Sequence, residues 1–457
     1  MSTSDKPTVL IVGAGLGGLM LGALLEKSGV PYRIFERASK VKPLGSAMSI
    51  GPTLLPIFQQ MGIYDDILAI GKYMTHTETF KETLEPYRPQ DYRPIEEYTG
   101  YGHYIVARPM YYDVILKQVP AHKIQFGQRV LNITEENDKV FVHLSNNETH
   151  EGDIVVGADG AYSAVRQRMY EQLKVKNELP KSDYEDLPFS CTCLVGQTKE
   201  LDPEEFPSVK DSICQFRVFL GEDKPFTWIT FSTAQRTLCF MVVHHLSKKT
   251  SKAAMEQRFR NNENAEWGAS SAQAMCDEVR HFPIDLKDGK KRTIGDLIDL
   301  TPKEFISKVM LEEKIFKTWH YGRAVLMGDG AVTAMHDAIA LANLIYAMPT
   351  RTQKDWTTIF EEYHKERLPA VTESFKNSQL MAKLSEKNLA GAVFLYMAAN
   401  MPLWMWRLAL AKLVRYRPQV GFLPPTPLQG TVTPFVSPSE QKARAVFQEK
   451  QQRVASV

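Results

Sequence analysis

The stretch TVLIVGAGLGGLMLGALLEKSGVPYRIFERA, residues 8–38, decides the fold of this chain. A run of β-branched and apolar residues ends at Val12, and an apolar pattern with helical spacing covers residues 16–27. Gly29 ends that helix, and a second apolar strand follows at residues 32–35. A strand, a helix and a strand in this order predict a βαβ unit, and therefore an α/β fold built on a parallel sheet.

Three glycines, Gly13, Gly15 and Gly18, lie at the turn between this strand and this helix. In this spacing the first makes the tight turn, the second lets the backbone touch a pyrophosphate, and the third lets helix and strand pack closely. The helix N-terminus adds N–H groups and a partial positive charge. Glu36 ends the second strand, where a carboxylate can bind both hydroxyls of an adenosine ribose and disfavours a 2′-phosphate. These residues predict a dinucleotide site without distinguishing FAD from NAD.

Two later stretches make that distinction. GDIVVGADGAYSAVRQRMY, residues 152–170, carries Asp159 and Gly160 after a strand, and WHYGRAVLMGD, residues 319–329, delivers Gly328 and Asp329. Together with the glycine turn, in this order, they resemble the group A flavoprotein monooxygenases, the family of the aromatic-ring hydroxylases and of fungal FAD-dependent hydroxylases and epoxidases. Residues 44–65, 104–120 and 363–371 extend the resemblance, which covers roughly residues 8 to 380.

The resemblance implies FAD as cofactor, NADH or NADPH as electron donor, and a set of site residues. The cofactor-binding residues that it implies, together with those of the glycine turn, are Gly13, Gly15, Gly18, Glu36, Ser49, Arg108, Asp159, Asp329 and Ala331. Ser49 would lie on a loop near the flavin, Asp329 would bond the ribityl chain, and Asp159 would lie where flavin and nicotinamide meet. Arg108 could bond two phosphate or ribityl oxygens at once.

Structural roles compete with three of these assignments. Arg108, which precedes a proline, could be an ordinary surface residue. Asp329 could be a simple N-cap of the helix that follows it. Asp159, which precedes a glycine, could owe its place to turn chemistry. For Asp329 both roles are compatible, and for Arg108 and Asp159 we favour the functional one.

The stretch VLMGDGAVTAMHDAIALANLIYA, residues 325–347, departs from the family pattern. Family members carry a Pro-containing loop and Gly-Gln-Gly-Ala between the Gly-Asp and the helix, but here Gly330 and Ala331 follow Asp329 at once. The missing loop would wall the flavin ring, although an N–H at Ala331 could still face the reduced ring. An artefact of the sequence, a tolerated shortening and a loss of activity all stay open.

The fold class that follows is α/β, with a Rossmann-like FAD-binding domain, an interleaved α+β substrate domain and a helical C-terminal extension. The expected boundaries are residues 1–75, 102–175 and 305–383 for the FAD-binding domain, 76–101 and 176–304 for the substrate domain, and 384–457 for the extension. Alternating patterns in the middle of the chain predict an antiparallel sheet. Its aromatic residues, among them Phe219 and Trp228, could line an apolar pocket but are more typical of core.

Composition excludes several other classes of protein. A net charge of +2, with 44% hydrophobic and 24% charged residues, indicates a soluble globular protein with no nucleic-acid partner. The five cysteines fit neither a disulfide framework nor a zinc pattern, and His244 and His245 lack further ligands at metal spacing, so we expect no metal. The polar start MSTSDKPT carries no signal peptide, which favours the cytoplasm.

The C-terminal extension contains an apolar segment with a basic flank. Residues 389–406 carry no charge, but Asn400 and Pro402 interrupt them, so a membrane span, a helix on a membrane surface or at the substrate entrance, and a buried helical hairpin all stay open. Membrane contact, if any, is expected through residues 389–413. The last residues, 437–457, are expected to form a solvated, partly frayed tail.

The sequence therefore predicts an FAD-dependent monooxygenase that uses NAD(P)H and oxygen to hydroxylate or epoxidise a small hydrophobic organic substrate. We predict no catalytic acid or base, because the cofactor supplies the oxidant and the protein positions it. The alternatives are a flavoprotein that binds FAD without hydroxylating, and an NAD-dependent dehydrogenase.

Overall fold

The computed structural model describes residues 6–40, 47–185, 189–222, 224–246, 269–312, 314–348, 352–384, 397 and 400–455. The strands of these residues are β1 (Val9–Val12), β2 (Tyr32–Glu36), β3 (Ala47–Ile50), β4 (Gly71–Tyr73), β5 (His76–Lys81), β6 (Gln90–Asp91), β7 (Tyr104–Ala107), β8 (Ile124–Phe126), β9 (Val130–Glu136), β10 (Lys139–Leu144), β11 (Thr149–Gly152), β12 (Ile154–Gly157), β13 (Phe189–Gln197), β14 (Phe216–Leu220), β15 (Phe226–Ser232), β16 (Leu238–His245), β17 (Pro283–Ile284), β18 (Arg292–Thr293), β19 (Ser307–Glu312), β20 (His320–Tyr321) and β21 (Ala324–Leu326). The α-helices are α1 (Leu16–Ser28), α2 (Leu55–Met61), α3 (Tyr64–Ile70), α4 (Pro94–Thr99), α5 (Arg108–Leu116), α6 (Ala164–Val175), α7 (Pro207–Lys210), α8 (Ala269–Val279), α9 (Ile294–Asp299), α10 (Ala331–Tyr346), α11 (Gln353–Leu384), α12 (Leu403–Leu413) and α13 (Pro438–Ala455).

The predicted βαβ unit is the centre of a six-stranded sheet with the order β20-β21-β12-β1-β2-β8. The strands from β21 to β8 are parallel, and β20 is antiparallel to β21. All four residues of β1 and of β12 are buried, as expected for apolar strands that are covered on both faces. Helix α1 ends at Gly29, which adopts the left-handed conformation as its C-cap.

A second, seven-stranded sheet has the order β19-β13-β16-β15-β14-β5-β6. Its pairs are antiparallel except β14 with β5, which agrees with the predicted antiparallel sheet. Phe219 and Trp228 are fully buried in a core cluster of this part of the chain, as is typical of core residues. The predicted fold class is confirmed: a Rossmann-like sheet, an interleaved second sheet and a helical C-terminal part.

The small sheet β3-β7-β4 stands between these two parts of the chain. Its strands are antiparallel, and Tyr73 of β4 forms a bridge to Ile213, just before β14. Helix α5 follows β7 directly and begins at Arg108. This arrangement ties the βαβ half of the chain to the second sheet.

The expectation of a frayed C-terminal tail is wrong. Residues 438–455 form α13, which packs on α10. Asn343 of α10 donates from Nδ2 to the carbonyl of Gln419 at 2.9 Å and accepts the N–H of Gly421 at 2.8 Å. Val420, Phe422 and Ala443 are buried in the main core cluster. Although the sequence of α13 is rich in charged residues, the C-terminal segment therefore contributes buried residues to the main core.

The apolar segment of the extension is described only in part, because residues 385–396 and 398–399 lie outside the described residues. No helix in the described part of the chain is long and apolar enough to cross a membrane. Helix α12 is largely exposed, with Leu403, Trp404 and Leu408 more than half accessible to solvent. The alternative of a buried hairpin is therefore wrong for α12.

Candidate functional site

The predicted site residues follow neighbouring parallel strands at the same edge of the six-stranded sheet. Gly13 follows β1, Glu36 ends β2, Asp159 lies two residues after β12, and Asp329 lies three residues after β21. Because β21, β12, β1 and β2 are adjacent and parallel, their carboxyl ends meet at one edge. Ligands of open α/β sheets bind at this edge.

A cavity of about 390 Å³ lies there. Seven of the nine predicted residues line it: Gly13, Gly15, Glu36, Arg108, Asp159, Asp329 and Ala331. Gly18 and Ser49 are not among its lining residues.

The glycine turn explains the place of Gly18. A Cβ added to Gly18 would lie 2.0 Å from the carbonyl oxygen of Gly13, so only glycine lets α1 pack this close to the turn. Gly13 has φ +106°, in the region that favours glycine. A Cβ added to Gly15 would meet no heavy atom of the described chain within 4 Å, because Gly15 faces the open cavity. The three glycines therefore serve the turn, the approach of a ligand and the helix packing, in the predicted order.

Glu36 has a role that the sequence did not indicate. Its two carboxylate oxygens accept the backbone N–H groups of Ala14, at 2.8 Å, and of Ala38, at 2.9 Å. The first bond ties the end of β2 to the glycine turn. Each carboxylate oxygen keeps a second lone pair, so Glu36 can hold the turn and still accept hydrogen bonds from a ligand in the cavity.

Asp159 combines turn chemistry with a place on the cavity wall. Its Oδ2 accepts the N–H of Ala164 at 2.6 Å, while Ser163, the N-cap of α6, accepts the N–H of Arg166 at 3.0 Å. Its Oδ1 is buried and makes no hydrogen bond to the described chain. Burial raises the pKa of this carboxyl above its usual range. The structural interpretation is therefore correct, and it leaves one oxygen of Asp159 for a further partner.

Basic residues dominate the rim of the cavity. Arg108 is exposed, but on the cavity wall, at the first residue of α5. Arg37 and Arg129 line the same cavity and were missed. Arg37 follows Glu36 directly, which was a usable signal. Arg129 lies shortly after β8, a three-residue strand that pairs with β2. No pattern in the sequence around β8 predicts this pairing.

The chain passes straight from β21 to α10, through residues 327–330. The N-cap of α10 is Gly330, so the simple N-cap role of Asp329 does not apply, and Asp329 is exposed on the cavity wall. Ala331 begins the helix, whose first N–H groups have no intrahelical partners.

This chain is similar to several known proteins. A family model described as FAD binding domain matches residues 6–199. FAD-dependent monooxygenase paxM of Penicillium paxilli is 26% identical over 403 residues, which cover 83% of this chain and 79% of that protein. FAD-dependent monooxygenase atmM of Aspergillus flavus is 24% identical, over 93% of this chain and 88% of its own length.

The chain is similar to the FAD-dependent monooxygenases over most of its length. The predicted resemblance is confirmed, and so are FAD as cofactor and an oxidoreductase activity. Such an activity implies oxygen and an organic substrate. HpxO of Klebsiella pneumoniae, solved with FAD and uric acid, has the same fold, with a TM-score of 0.68 at 17% identity over 89% of this chain and 96% of its own.

A buried network of hydrogen bonds and one ion pair holds the connection between β21 and α10 in place. Asp337 of α10 accepts the N–H of Gly328 through Oδ2 at 2.8 Å and pairs with Nε of Arg367 through Oδ1 at 2.7 Å. Arg367 donates from Nη1 to the hydroxyl of Tyr416 at 2.8 Å. Both members of the ion pair are almost fully buried. The segment of residues 363–371 that resembles the family therefore acts through Arg367 on the position of Gly328.

A second cavity, of about 320 Å³, lies on the other side of that turn. Gly160, Gly328 and Asp329 line both cavities. The remaining wall is largely apolar and includes Phe316, Trp319 and Phe375. The connection from β21 to α10, residues 327–330, therefore borders both cavities.

Ser49 of the monooxygenase lies away from the 390 Å³ cavity, on β3. Its hydroxyl is hydrogen-bonded to Nε2 of His103, just before β7. Burial lowers the pKa of His103 to about 4, and its Nδ1 makes no hydrogen bond to the described chain. Residues 41–46, on the loop that leads to Ser49, lie outside the described residues.

The described residues contain no group of three or more His, Cys, Asp or Glu side chains that could hold a metal ion. His244 and His245 end β16, and His245 is hydrogen-bonded to Thr227 at 3.1 Å. All five cysteines are buried and free of disulfides.

Proposed function

We propose that the 390 Å³ cavity holds FAD, and that this monooxygenase takes electrons from NADH or NADPH to hydroxylate or epoxidise a small hydrophobic organic substrate. The carrying observation is that seven residues from four separate stretches of the chain line this one cavity at the carboxyl edge of the parallel sheet.

The cavity residues fit the parts of FAD by chemistry. Glu36 has free lone pairs for the ribose hydroxyls. Gly15 and the N-terminus of α1 offer space and N–H groups to the pyrophosphate, and Arg108 offers a fork of donors to its oxygens. Asp329 would bond the ribityl chain. Ala331, at the N-terminus of α10, would present an N–H to the reduced flavin.

The overall reaction would consume one oxygen molecule and one NAD(P)H for each substrate, placing one oxygen atom in the product and releasing the other as water. Bound FAD would supply the transfer of electrons to oxygen. The chain would bind the cofactor, hold Asp159 where flavin and nicotinamide meet, and exclude water through the second sheet. Ser49 would lie on the substrate side of the flavin.

The same reasoning assigns the parts of the chain. We propose that residues 1–75, 102–175 and 305–383 form the FAD-binding domain, that 76–101 and 176–304 form the substrate domain, and that 384–457 form the extension. A cytoplasmic location is likewise proposed, and so is contact with a membrane through residues 389–413.

The purified full chain tests this function. We expect FAD in the protein, oxidation of NADH or NADPH that an organic substrate stimulates, and a product heavier by one oxygen atom in mass spectrometry. Arg108→Gln should weaken FAD binding. Arg236→Gln, which removes an exposed arginine in the turn between β15 and β16 that pairs with Glu200 at 3.7 Å, should not. Equal FAD affinity in both variants would remove Arg108 from the site, and stimulated oxidation without oxygenated product would favour the non-hydroxylating alternative.

A further inference from the structure

Helix α12 is amphipathic, with one side packed on the protein and an apolar side exposed. Trp406, Leu410 and Val414, spaced by four residues, pack in a cluster with Ile95. The opposite side carries what we call the apolar face: Trp404, Met405 and Leu408, which are between 42% and 67% exposed. Single exposed apolar residues are ordinary, whereas several together on one helix mark an interaction surface.

The charged side chains of α12 itself, and of the residues that follow it directly, are all cations. Residues 401–417 contain no aspartate or glutamate, and Arg407, Lys412 and Arg415 are exposed. Arg407 pairs with Glu97 at 3.5 Å and Lys412 with Glu373 at 3.0 Å, at the protein surface. Exposed ion pairs of this kind bind weakly and leave the cations able to meet other anions.

We propose that α12 lies in the interface of an anionic lipid bilayer, with its apolar face at the boundary of headgroups and acyl chains and its cations among the phosphates. A helix with an apolar face and Lys and Arg beside it takes this position. A second copy of the chain fits the face less well, because a twofold contact through α12 would bring the same cations of both copies together.

The contacts beneath α12 lead to Ser49, which lies on the proposed substrate side. Trp406 donates from Nε1 to the carbonyl of Asp91 at 2.7 Å, and its ring lies 5.5 Å from that of Tyr92. The ring of Tyr92 lies 5.7 Å from His103, which is hydrogen-bonded to Ser49. A membrane against α12 would therefore lie beside the proposed substrate side, and a hydrophobic substrate could enter from the lipid. This last step, unlike the membrane contact itself, rests on the proposed function.

A fluorescent label tests the contact without any activity. Trp404→Cys offers a single exposed thiol, because all five native cysteines are buried. With an environment-sensitive fluorophore at this position, vesicles of phosphatidylcholine and phosphatidylserine should shift the emission to the blue. The same fluorophore on Val175→Cys, at an 85% exposed apolar position on α6, should not respond. No shift at position 404, or a shift that depends on protein concentration without vesicles, would overturn the proposal.

Vesicle co-sedimentation of matched variants locates the contact. Trp404→Gln with Leu408→Gln should weaken binding at least about tenfold, because two apolar anchors are lost. Val175→Gln with Leu428→Gln, at two exposed sites elsewhere, should bind as the unmodified chain does. Replacing Lys412 and Arg415 by Gln should weaken binding to phosphatidylserine vesicles about fivefold for each charge and leave binding to pure phosphatidylcholine nearly unchanged.

Equal vesicle binding by the Trp404 and Leu408 variant would overturn the proposal, since the contact would then lie elsewhere. FAD content and NAD(P)H oxidation are measured on the same samples without vesicles. If the Trp404 and Leu408 variant loses vesicle binding but retains FAD content and NAD(P)H oxidation, the membrane contact is confirmed independently of the proposed function. If the unmodified chain binds vesicles but holds no FAD and oxidises no NAD(P)H, the proposed function is rejected and the membrane contact is kept.

Discussion

Replacing Glu36 by Gln should affect folding and cofactor binding by separate amounts. In the apoprotein, Gln keeps one acceptor oxygen and turns its NH2 towards the other backbone N–H, so one of the bonds to Ala14 and Ala38 is lost. An N–H bond to a charged group contributes about 1.5–3 kcal/mol, and we expect the free energy of unfolding to fall by about 2 kcal/mol. Loss of the charge opposite the ribose hydroxyls should cost a further 1–3 kcal/mol of binding, about a 5- to 150-fold rise in Kd for FAD.

Urea unfolding of the apoprotein measures the first effect, and calorimetric titration with FAD measures the second. Glu26→Gln is the matched control, because Glu26 lies on α1 of the same βαβ unit and pairs with Lys123 at 2.6 Å, but does not line the cavity. This control should leave the Kd for FAD unchanged. Lower stability of Glu36→Gln with an unchanged Kd would refute the ribose role and leave Glu36 as a support of the glycine turn.

Three further changes probe the turn and its surroundings. Arg367→Met leaves the buried carboxylate of Asp337 without its cation, which should lower the free energy of unfolding by about 3–5 kcal/mol in urea; a loss below about 1 kcal/mol would show that the pair contributes little. Burial lowers the pKa of His336 from 6.5 to about 3, so the stability that its neutral form provides is present above pH 6.5 and is lost as the pH falls towards 3. His336→Gln should flatten that dependence between pH 7 and 4.5, and parallel urea curves would contradict it. Inserting a Pro-containing glycine loop between Asp329 and Gly330 should raise oxygenated product relative to hydrogen peroxide by up to about 100-fold, and tight coupling in the unmodified chain would show that the short turn is sufficient.

The parts of the fold that local patterns determine could be predicted from the sequence. The apolar run before Gly13, the helical spacing after it and Glu36 beyond it lie within a few turns of chain, and each satisfies a local geometric need. The convergence of Asp159 and Asp329 on the same edge then follows from parallel pairing alone. Of the two arginines that were missed, Arg37 follows Glu36 directly in the sequence, whereas the position of Arg129 depends on the pairing of β8 with the distant strand β2.

The C-terminal helix α13 is a clearer example of structure that local sequence patterns do not predict. The sequence of α13 is polar, with Ala443 among its few small buried residues, and composition indicated a solvated tail. Its position is set by partners elsewhere, since Ser439 donates its N–H and hydroxyl to Glu366 of α11 at 2.8 and 2.9 Å. Such contacts leave no period or motif in the segment itself.

The order of synthesis gives the network around Arg367 a further consequence. A ribosome releases the βαβ unit well before Tyr416, Gln419 and α13, yet these later residues fill the core beside α10 and hold Arg367, which positions Asp337 and Gly328. The half of the protein that would carry FAD therefore cannot complete its packing until the residues up to α13 have been translated. A premature stop codon near residue 415 would remove part of the core of the nucleotide-binding half, and such a product would be a substrate for degradation.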